Sequence, residues 1–250
     1  MIELENLTKH YTKGALTTEV LRGVSLRIQK GEFVAIMGAS GTGKSTLMNI
    51  LGGLDQPTSG SYRLDGVDMA RAGDDELSRI RNQKIGFVFQ QFNLLDRADA
   101  LRNVMLPLIY SDDDAGSAAR AEEALAAVGL AARKHHHPSE LSGGEQQRVA
   151  IARALITNPA VILADEPTGN LDSRNGLEVL AVFQRLHREG RTLVLITHDS
   201  GLAEHTRRMI LLQDGRVASD VAVPQPRDAA AELARLAPTA VAKQPELPAT

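Results

Sequence analysis

A glycine-rich loop between an apolar strand and a helix is the feature that most constrains this chain. The segment 33–37 (FVAIM) is apolar throughout, and the pattern G-x-x-x-x-G-K-S follows it directly, before the helical start at 46–48. A chain of this length matches the pattern by chance about once in a hundred. We therefore predict a phosphate-binding loop in preference to an accidental glycine-rich turn. The predicted site contains Gly38, Ala39, Ser40, Gly41, Thr42, Gly43, Lys44, Ser45 and Thr46.

The residue types of this loop suit a nucleoside triphosphate. Glycines let the backbone wrap a phosphate with successive N–H groups pointing inward, and the helix N-terminus adds partial positive charge. Lys44 would neutralise the β- and γ-phosphates, and the Ser45 hydroxyl would ligate Mg²⁺.

The order of apolar and amphipathic segments predicts an α/β fold with a mainly parallel sheet. Near-continuous apolar runs, typical of parallel strands covered on both faces, occur at 33–37, 85–89, 161–164 and 193–196. Helical patterns lie between them, at 45–51, 118–128, 145–156 and 176–188. Near the start, polar and apolar residues alternate, which predicts an antiparallel sheet over 2–4, 24–28 and 62–64. A separate Ala-rich block begins at residue 98 and predicts a helical subdomain.

Composition narrows the class of protein. Hydrophobic residues make up 43% of the 250, enough for a sizeable core, and the formal charge of −3 gives no broad positive field for nucleic acid. There is no cysteine, which excludes disulfides and thiolate sites, and no apolar run reaches the roughly 18 residues of a membrane span. Pro and Ala dominate from residue 224. We expect the tail 224–250 to be poorly ordered, although one short helix could form near 231–237.

Two acidic residues end another predicted strand. The run 161–164 (VILA) leads into Asp165 and Glu166. In a protein with a phosphate loop, the first acid at this point holds Mg²⁺, and the second can polarise the attacking water as a general base. A solvated acidic pair would be the better interpretation if the phosphate loop were absent. His198 follows the run 193–196 and could reach a γ-phosphate, although a histidine there is more often a surface or helix-cap residue.

A second glycine cluster opens a helix. The segment 141–148 reads LSGGEQQR, and Ser142 with Glu145 forms the pattern of a capping box. A cap does not require Gly143 and Gly144, each of which costs helix stability by about 0.8–1 kcal/mol. Glycines at a helix start expose N–H groups at its positive end, which predicts a second anion site. Two chains could then sandwich one nucleotide between the phosphate loop of one and this helix of the other.

The order of these motifs resembles the ATP-binding cassette of ABC transporters over roughly residues 1 to 220. The matching segments are Walker A at 38–45, the glutamine loop at Gln90, the LSGGEQQR signature at 141–148, Walker B at 161–166, the D-loop at 170–172 and His198. The resemblance implies a P-loop NTPase core with an N-terminal antiparallel β subdomain and an inserted α-helical subdomain, about 98–158, within a domain 1–223.

The resemblance also implies roles for individual residues. Tyr11 would stack on the adenine of ATP, and Ser142 and Gly144, with Gly143 and Glu145 beside them, would bind the γ-phosphate across a homodimer. Asp172 would link the two sites. The implied catalytic residues are Glu166, His198, Gln90 and Lys44, and the implied Mg²⁺ ligands are Ser45, Gln90 and Asp165.

A finer similarity points to the lipoprotein-release and macrolide-exporter branch, through segments 51–60, 89–95 and 138–155. Asp96 and Gln91 depart from that branch, within the expected contact with the membrane partner. The branch implies a peripheral ATPase at the cytoplasmic face of the inner membrane, with no direct membrane insertion. Its partners would be a separate permease and a possible periplasmic adaptor, and its cargo a lipoprotein, peptide or hydrophobic drug. The alternative is an ATP-driven mechanical switch on a partner that transports nothing, as in regulators of cell-wall hydrolases.

Overall fold

Two β-sheets and the helices around them organise the chain in the computed structural model, which describes residues 1–14, 16–110 and 116–236. The strands are β1 (Ile2–Lys13), β2 (Leu16–Ile28), β3 (Phe33–Met37), β4 (Ser59–Leu64), β5 (Val67–Asp68), β6 (Ile85–Val88), β7 (Val161–Asp165), β8 (Thr192–Thr197), β9 (Arg208–Gln213) and β10 (Arg216–Ala222). The α-helices are α1 (Lys44–Leu51), α2 (Asp74–Lys84), α3 (Ala100–Met105), α4 (Ser117–Ala127), α5 (Gly143–Leu155), α6 (Ser173–Arg188), α7 (Ser200–Ala203) and α8 (Ala229–Arg235).

The central sheet has the order β10-β9-β3-β8-β7-β6, and only β10 pairs antiparallel to its neighbour. Its inner strands are apolar at their central positions because both faces are covered, whereas polar residues such as Asp165 and Thr197 occur at strand ends. Along β3, Phe33 contributes to one hydrophobic core, whereas Val34 and Ile36 contribute to the other. Along β8, Leu193 and Val194 divide in the same way. This confirms the parallel strands expected from near-continuous apolar runs.

The smaller sheet, in the order β2-β1-β4-β5, is antiparallel throughout. Its inward residues Leu4, Val24, Leu26 and Tyr62 are buried and pack in the same core as helix α1. The antiparallel sheet predicted near the start is therefore confirmed. It lies against the helix that follows the phosphate loop.

Helices α3, α4 and α5 form the predicted helical block, with 3₁₀ turns at Leu106–Tyr110, Ala131–Arg133 and Pro138–Glu140. Their apolar faces share one core with α6 and the central sheet. The sequence patterns did not predict α2, which has few apolar residues, or the hairpin β9-β10, whose outer strand is mostly exposed.

Residues 224–236 are better ordered than the tail expected from composition, and helix α8 (Ala229–Arg235) overlaps the short helix considered possible near 231–237. Helix α8 begins after Asp228, whose carboxylate caps it, and Ala229 is fully buried. The Gln184 side chain of α6 ties this segment down, because its amide donates to the carbonyls of His205 and Arg227 and accepts from the N–H of Ala229. The Pro- and Ala-rich composition of this segment does not indicate these contacts, because they come from a distant residue of α6. Residues 237–250 of the predicted tail lie outside the described residues.

No helix in the described ranges is long and apolar enough to cross a membrane.

Candidate functional site

The predicted catalytic residues follow strands that end at one edge of the central sheet. In the parallel register, Met37 at the end of β3 is opposite Thr197 of β8, and Ile196 is opposite Asp165 of β7. Val88, which ends β6, is opposite Ala164. The phosphate loop, the glutamine loop, the Walker B acids and His198 therefore all begin at the same edge, which is where ligands bind in open α/β sheets.

Glycine is required in the phosphate loop for two different reasons. Gly41 and Gly43 have φ of 81° and 100°, in the left-handed region that favours glycine. At Gly38 the reason is close packing, because an added Cβ would overlap the carbonyl oxygen of Leu212 in β9. The loop therefore passes closely between β9 and the start of α1, and its central residues Ala39 to Gly41 are exposed.

Lys44 begins α1 and folds back over the loop. Its ammonium donates to the carbonyls of Gly38 at 2.7 Å and Ala39 at 2.8 Å. It also acts on the neighbouring acidic end of β7. Burial raises the pKa of the Asp165 carboxyl, the negative charge of Glu166 raises it further, and the positive charge of Lys44 opposes both. Lys44 and the two Walker B acids thus interact within one chain.

The Glu166 carboxylate is held by three donors. The Thr197 hydroxyl donates to Oε2 at 2.8 Å, and the backbone N–H of His198 donates to Oε1 at 2.8 Å. The Nδ1 atom of His198 lies 2.5 Å from the same Oε1. Glu166 itself has a φ of 42°, which is uncommon for a residue with a side chain, and its N–H donates to the Ile196 carbonyl. The general-base candidate therefore has a fixed place beside His198.

Asp165, Ser45 and Gln90 offer the carboxylate, hydroxyl and amide oxygens that Mg²⁺ prefers. The raised pKa of Asp165 reflects a carboxylate placed next to another negative charge and partly removed from water. A bound divalent cation would offset that cost, so the donor set fits the ion.

Tyr11 lies on β1, and its hydroxyl donates to Asp55 at 2.7 Å. The Lys9 ammonium lies 4.9 Å from the ring centroid and covers one face. Burial and, next, the bond to Asp55 raise the pKa of the phenol. The side chain is 43% exposed. Tyr11 is therefore partly exposed, with the Lys9 ammonium over one face of its ring.

Ser142 and Glu145 form the capping box at the start of α5. The N–H of Glu145 donates to Ser142 Oγ at 3.2 Å, and Glu145 Oε2 accepts from the Ser142 N–H at 2.8 Å. Gly144 has a packing role that the sequence did not reveal, because an added Cβ would overlap the Asn175 amide of α6. A Cβ on Gly143 would come within 3.2 Å of Leu171. The signature helix therefore begins in close contact with the D-loop.

A glutamine network, which the motif analysis did not single out, joins these segments. Gln147 is fully buried in α5, and its Nε2 donates to the carbonyls of Phe89 at 3.2 Å and Pro167 at 2.7 Å. These carbonyls adjoin Gln90 and Glu166. Gln90 and Asn170 of the D-loop exchange hydrogen bonds of 3.2 and 3.1 Å. Gln147, the second glutamine of GGEQQ, could have indicated this network from the sequence, because a polar residue on the apolar face of a helix requires buried hydrogen-bond partners.

Asp172 caps α6. Its carboxylate accepts from the N–H of Asn175 at 2.9 Å and from the Asn175 amide at 2.6 Å. Both hydrogen bonds lower the pKa of Asp172, and the bond from the backbone N–H of Asn175 has the larger effect. Within one chain, the D-loop aspartate thus orients the asparagine that packs on Gly144.

The structure brings together Lys44, Asp165, Glu166 and His198, and Gln147 of the signature helix reaches the backbone next to Glu166. Across the described residues, no hydrogen bond joins segment 141–148 to the phosphate loop.

Comparison with known proteins identifies the family. The family model described as ABC transporter matches residues 21–169. The macrolide export ATP-binding/permease protein MacB of Chlorobaculum tepidum is 54% identical over 220 residues, which are 88% of this chain and 34% of that protein. YvrO of Bacillus subtilis, described as an uncharacterized ABC transporter ATP-binding protein, is 51% identical over 88% of this chain and 96% of its own length. The chain thus spans about a third of the length of its MacB relative.

Among solved structures, the dimeric cassette MJ0796, in a post-hydrolysis state bound to ADP and Pi, has a TM-score of 0.81 and 45% identity, covering 90% of this chain and 100% of that one. A second dimeric structure of MJ0796, described as a bacterial ABC transporter cassette, has the same TM-score at 47% identity. These matches confirm the predicted fold class, a P-loop core with a mainly parallel sheet. The chain belongs to the ABC transporter family and is one of its ATP-binding cassettes, an ATPase domain.

Proposed function

We propose that this chain binds and hydrolyses ATP as a homodimer and that the opening and closing of the dimer drives a separate membrane permease. One observation carries the proposal. The Glu166 carboxylate, the Lys44 ammonium and the phosphate loop meet at one edge of the central sheet. Within the described ranges, the start of α5, which is the second predicted anion site, has no hydrogen bond to that loop. A second copy of the chain can supply what the first lacks.

ATP would bind with its phosphates in the loop 38–45 and its adenine on Tyr11. The Lys44 ammonium, which donates to two loop carbonyls, would exchange them for β- and γ-phosphate oxygens at little cost, because its position in the loop is already set. The exposed Ser40 and Gly41 leave the triphosphate accessible from the side where the partner's signature would approach.

Ser45, Asp165 and Gln90 would hold Mg²⁺ beside the phosphates. The ion would supply charge neutralisation to the β- and γ-phosphoryl oxygens. Asp165 gains from the cation because its carboxylate is partly buried beside Glu166.

Hydrolysis would use Glu166 as the general base. The water oxygen forms a bond to the γ-phosphorus while the bond from that phosphorus to the β,γ-bridging oxygen breaks. The water proton passes to the Glu166 carboxylate, and ADP and inorganic phosphate are the products. His198, whose side chain is 72% exposed, would contact the γ-phosphate from the same edge.

The Ser142 and Gly144 end of one protomer would bind the γ-phosphate held by its partner. Two triphosphates buried in this way favour the closed dimer, since each contacts both chains. Loss of the γ-phosphate removes the signature-side contacts and lets the protomers separate. Asp172 would pass this change along the chain, because it orients Asn175 against Gly144.

A groove of about 1030 Å³ offers a place for the permease. Phe87 and Phe89 stack at 5.5 Å on one wall, and Arg79 and Arg153 also line it. The groove reaches the backbone just before Gln90, so a helix of the permease that moved there would act directly on the glutamine loop. We propose export or extraction of a lipoprotein, peptide or hydrophobic drug at the cytoplasmic face of the inner membrane. The macrolide export function named for the MacB relative supports this class of cargo.

The Glu166→Gln variant tests the proposed chemistry. It preserves size and one acceptor oxygen but removes the base, so we expect kcat to fall at least about 100-fold while ATP binding remains. ATPase turnover and equilibrium binding of ATP would be measured on the same preparation. The matched control is Glu123→Gln, on an exposed position of α4, which should leave both unchanged. Full turnover in the Glu166 variant would exclude it as the base.

A further inference from the structure

Thr197 is a buried polar residue that the motifs do not include. It ends β8, between β3 and β7, and it is fully buried. Its hydroxyl contacts two groups, Glu166 Oε2 at 2.8 Å and the backbone nitrogen of Asp199 at 2.9 Å. These contacts place a neutral side chain directly behind the proposed base.

The direction of these two bonds follows from their chemistry. A backbone N–H can only donate, so the Thr197 oxygen must accept from Asp199. The hydroxyl carries one hydrogen, and a carboxylate oxygen can only accept, so that hydrogen points to Glu166. The Asp199 amide therefore orients the Thr197 hydroxyl, which in turn holds Oε2.

The two oxygens of Glu166 are held by anchors that differ in rigidity. Oε2 is bonded to a side chain buried in the middle of the central sheet. Oε1 accepts from the backbone N–H of His198 and also contacts the exposed imidazole of that residue. A side chain inside a packed sheet has one rotamer, while an exposed one changes rotamer readily. The contact of Oε1 with the imidazole is therefore the one that can change when ATP binds, while the backbone N–H and Thr197 keep the carboxylate in place.

We infer that Thr197 is a positioning residue for the hydrolytic reaction. It fixes the Glu166 carboxylate through Oε2, so that Oε1 faces the reacting water and accepts its proton. The inference rests on the proposed role of Glu166 as the base. Thr197 touches neither ATP nor water in this scheme and acts only through the carboxylate.

The test compares Thr197→Val, which keeps the branched shape but removes the hydroxyl, with Thr197→Ser, which keeps the hydroxyl. Misplacement of a reacting group by about 1 Å can cost 100-fold, so we expect the Val variant to lower kcat by roughly 10- to 100-fold. The KM for ATP should change by less than about twofold, because the loop and Tyr11 are untouched. The Ser variant should retain kcat within about threefold of the native chain, since it restores the donor.

Equal kcat values for the native chain and the Val variant would overturn the inference, and so would a Ser variant as impaired as the Val one. If Thr197→Val does not fold, as judged by its thermal transition, Thr197→Ala serves in its place. It also removes the donor and should show the same loss of kcat with KM unchanged.

A double-mutant cycle separates this inference from the proposed function. If Thr197 acts only through Glu166, adding Thr197→Val to Glu166→Gln should not lower the residual turnover further. A further multiplicative fall would show that Thr197 acts independently, which would overturn the inference. If Glu166→Gln alone keeps full turnover, the proposed base is wrong. If Glu166→Gln is inactive but Thr197→Val is normal, only the positioning role is wrong.

Discussion

The Gln147→Leu substitution tests whether the buried glutamine of the signature helix joins the glutamine loop to the Walker B segment. In the native chain, Nε2 of Gln147 donates to the carbonyls of Phe89 and Pro167, which come from two different loops. Leucine has a similar volume and suits a helix, so the substitution removes these two bonds without leaving a large cavity.

The expected size follows from the polar atoms that change. A buried group left without its hydrogen bond costs about 1–3 kcal/mol, so two abandoned carbonyls would cost about 2–6 kcal/mol. One gain offsets part of this. Gln147 Oε1 is buried without a hydrogen-bond partner within the described part of the chain, and removing it returns about 1–3 kcal/mol. The net expectation is a loss of about 2 kcal/mol in the free energy of unfolding, or a fall in Tm of roughly 4–8 °C for a domain of this size.

Urea unfolding followed by circular dichroism would measure this loss, with Gln83→Leu as the control on an exposed position of α2. The steady-state ATPase rate would be measured in parallel. We expect it to fall as well, because the carbonyls released from Gln147 adjoin Gln90 and Glu166. An unfolding free energy within about 0.5 kcal/mol of the native value would refute the reasoning, since surface substitutions commonly fall in that range.

Three further predictions test other contacts. The double variant Ser40→Cys, Ser142→Cys has no native thiol to interfere, and we expect it to form an interchain crosslink that increases with ATP in a hydrolysis-deficient background. A short bis-thiol linker covers Cα separations above about 7 Å. A product that runs only as a monomer would contradict the shared site. The hydrogen bond from Arg208 is the leading cause that holds the pKa of Asp220 below its usual value. The stability advantage of the native chain over Asp220→Asn should therefore be present above about pH 4 and disappear as the pH falls through the folded pKa. An advantage that does not change between pH 2 and 7 would show that it does not come from the ionised Asp220 carboxylate. Gln184→Leu should lower the free energy of unfolding by at least about 3 kcal/mol, because it strands three backbone groups that tie α8 to α6. It should also make residues 224–236 sensitive to limited proteolysis, whereas unchanged cleavage there would show that α8 docks without Gln184.

The sequence by itself determined the elements whose cause is local. The phosphate loop was predictable because Gly41 and Gly43 need positive φ and because Lys44 and Ser45 start a helix at a fixed distance from the strand. The parallel strands were predictable because both of their faces are buried, which makes their central positions apolar. The capping box at Ser142 was predictable because it spans only four residues.

Tertiary structure alone decided which of these elements are neighbours. β8 lies between β3 and β7, although it follows β7 by 26 residues in the chain, and this order puts Thr197 against Glu166. The partners of Gln147, the packing of Asn175 on Gly144 and the docking of α8 likewise join distant segments. A residue pattern shows which face of an element is buried. The partner on that face depends on the order in which the long crossover connections arrange the strands. The residue types that each motif supplies could therefore be predicted from adjacent sequence. The contacts that position their reactive groups were decided by the order of the strands in the sheet.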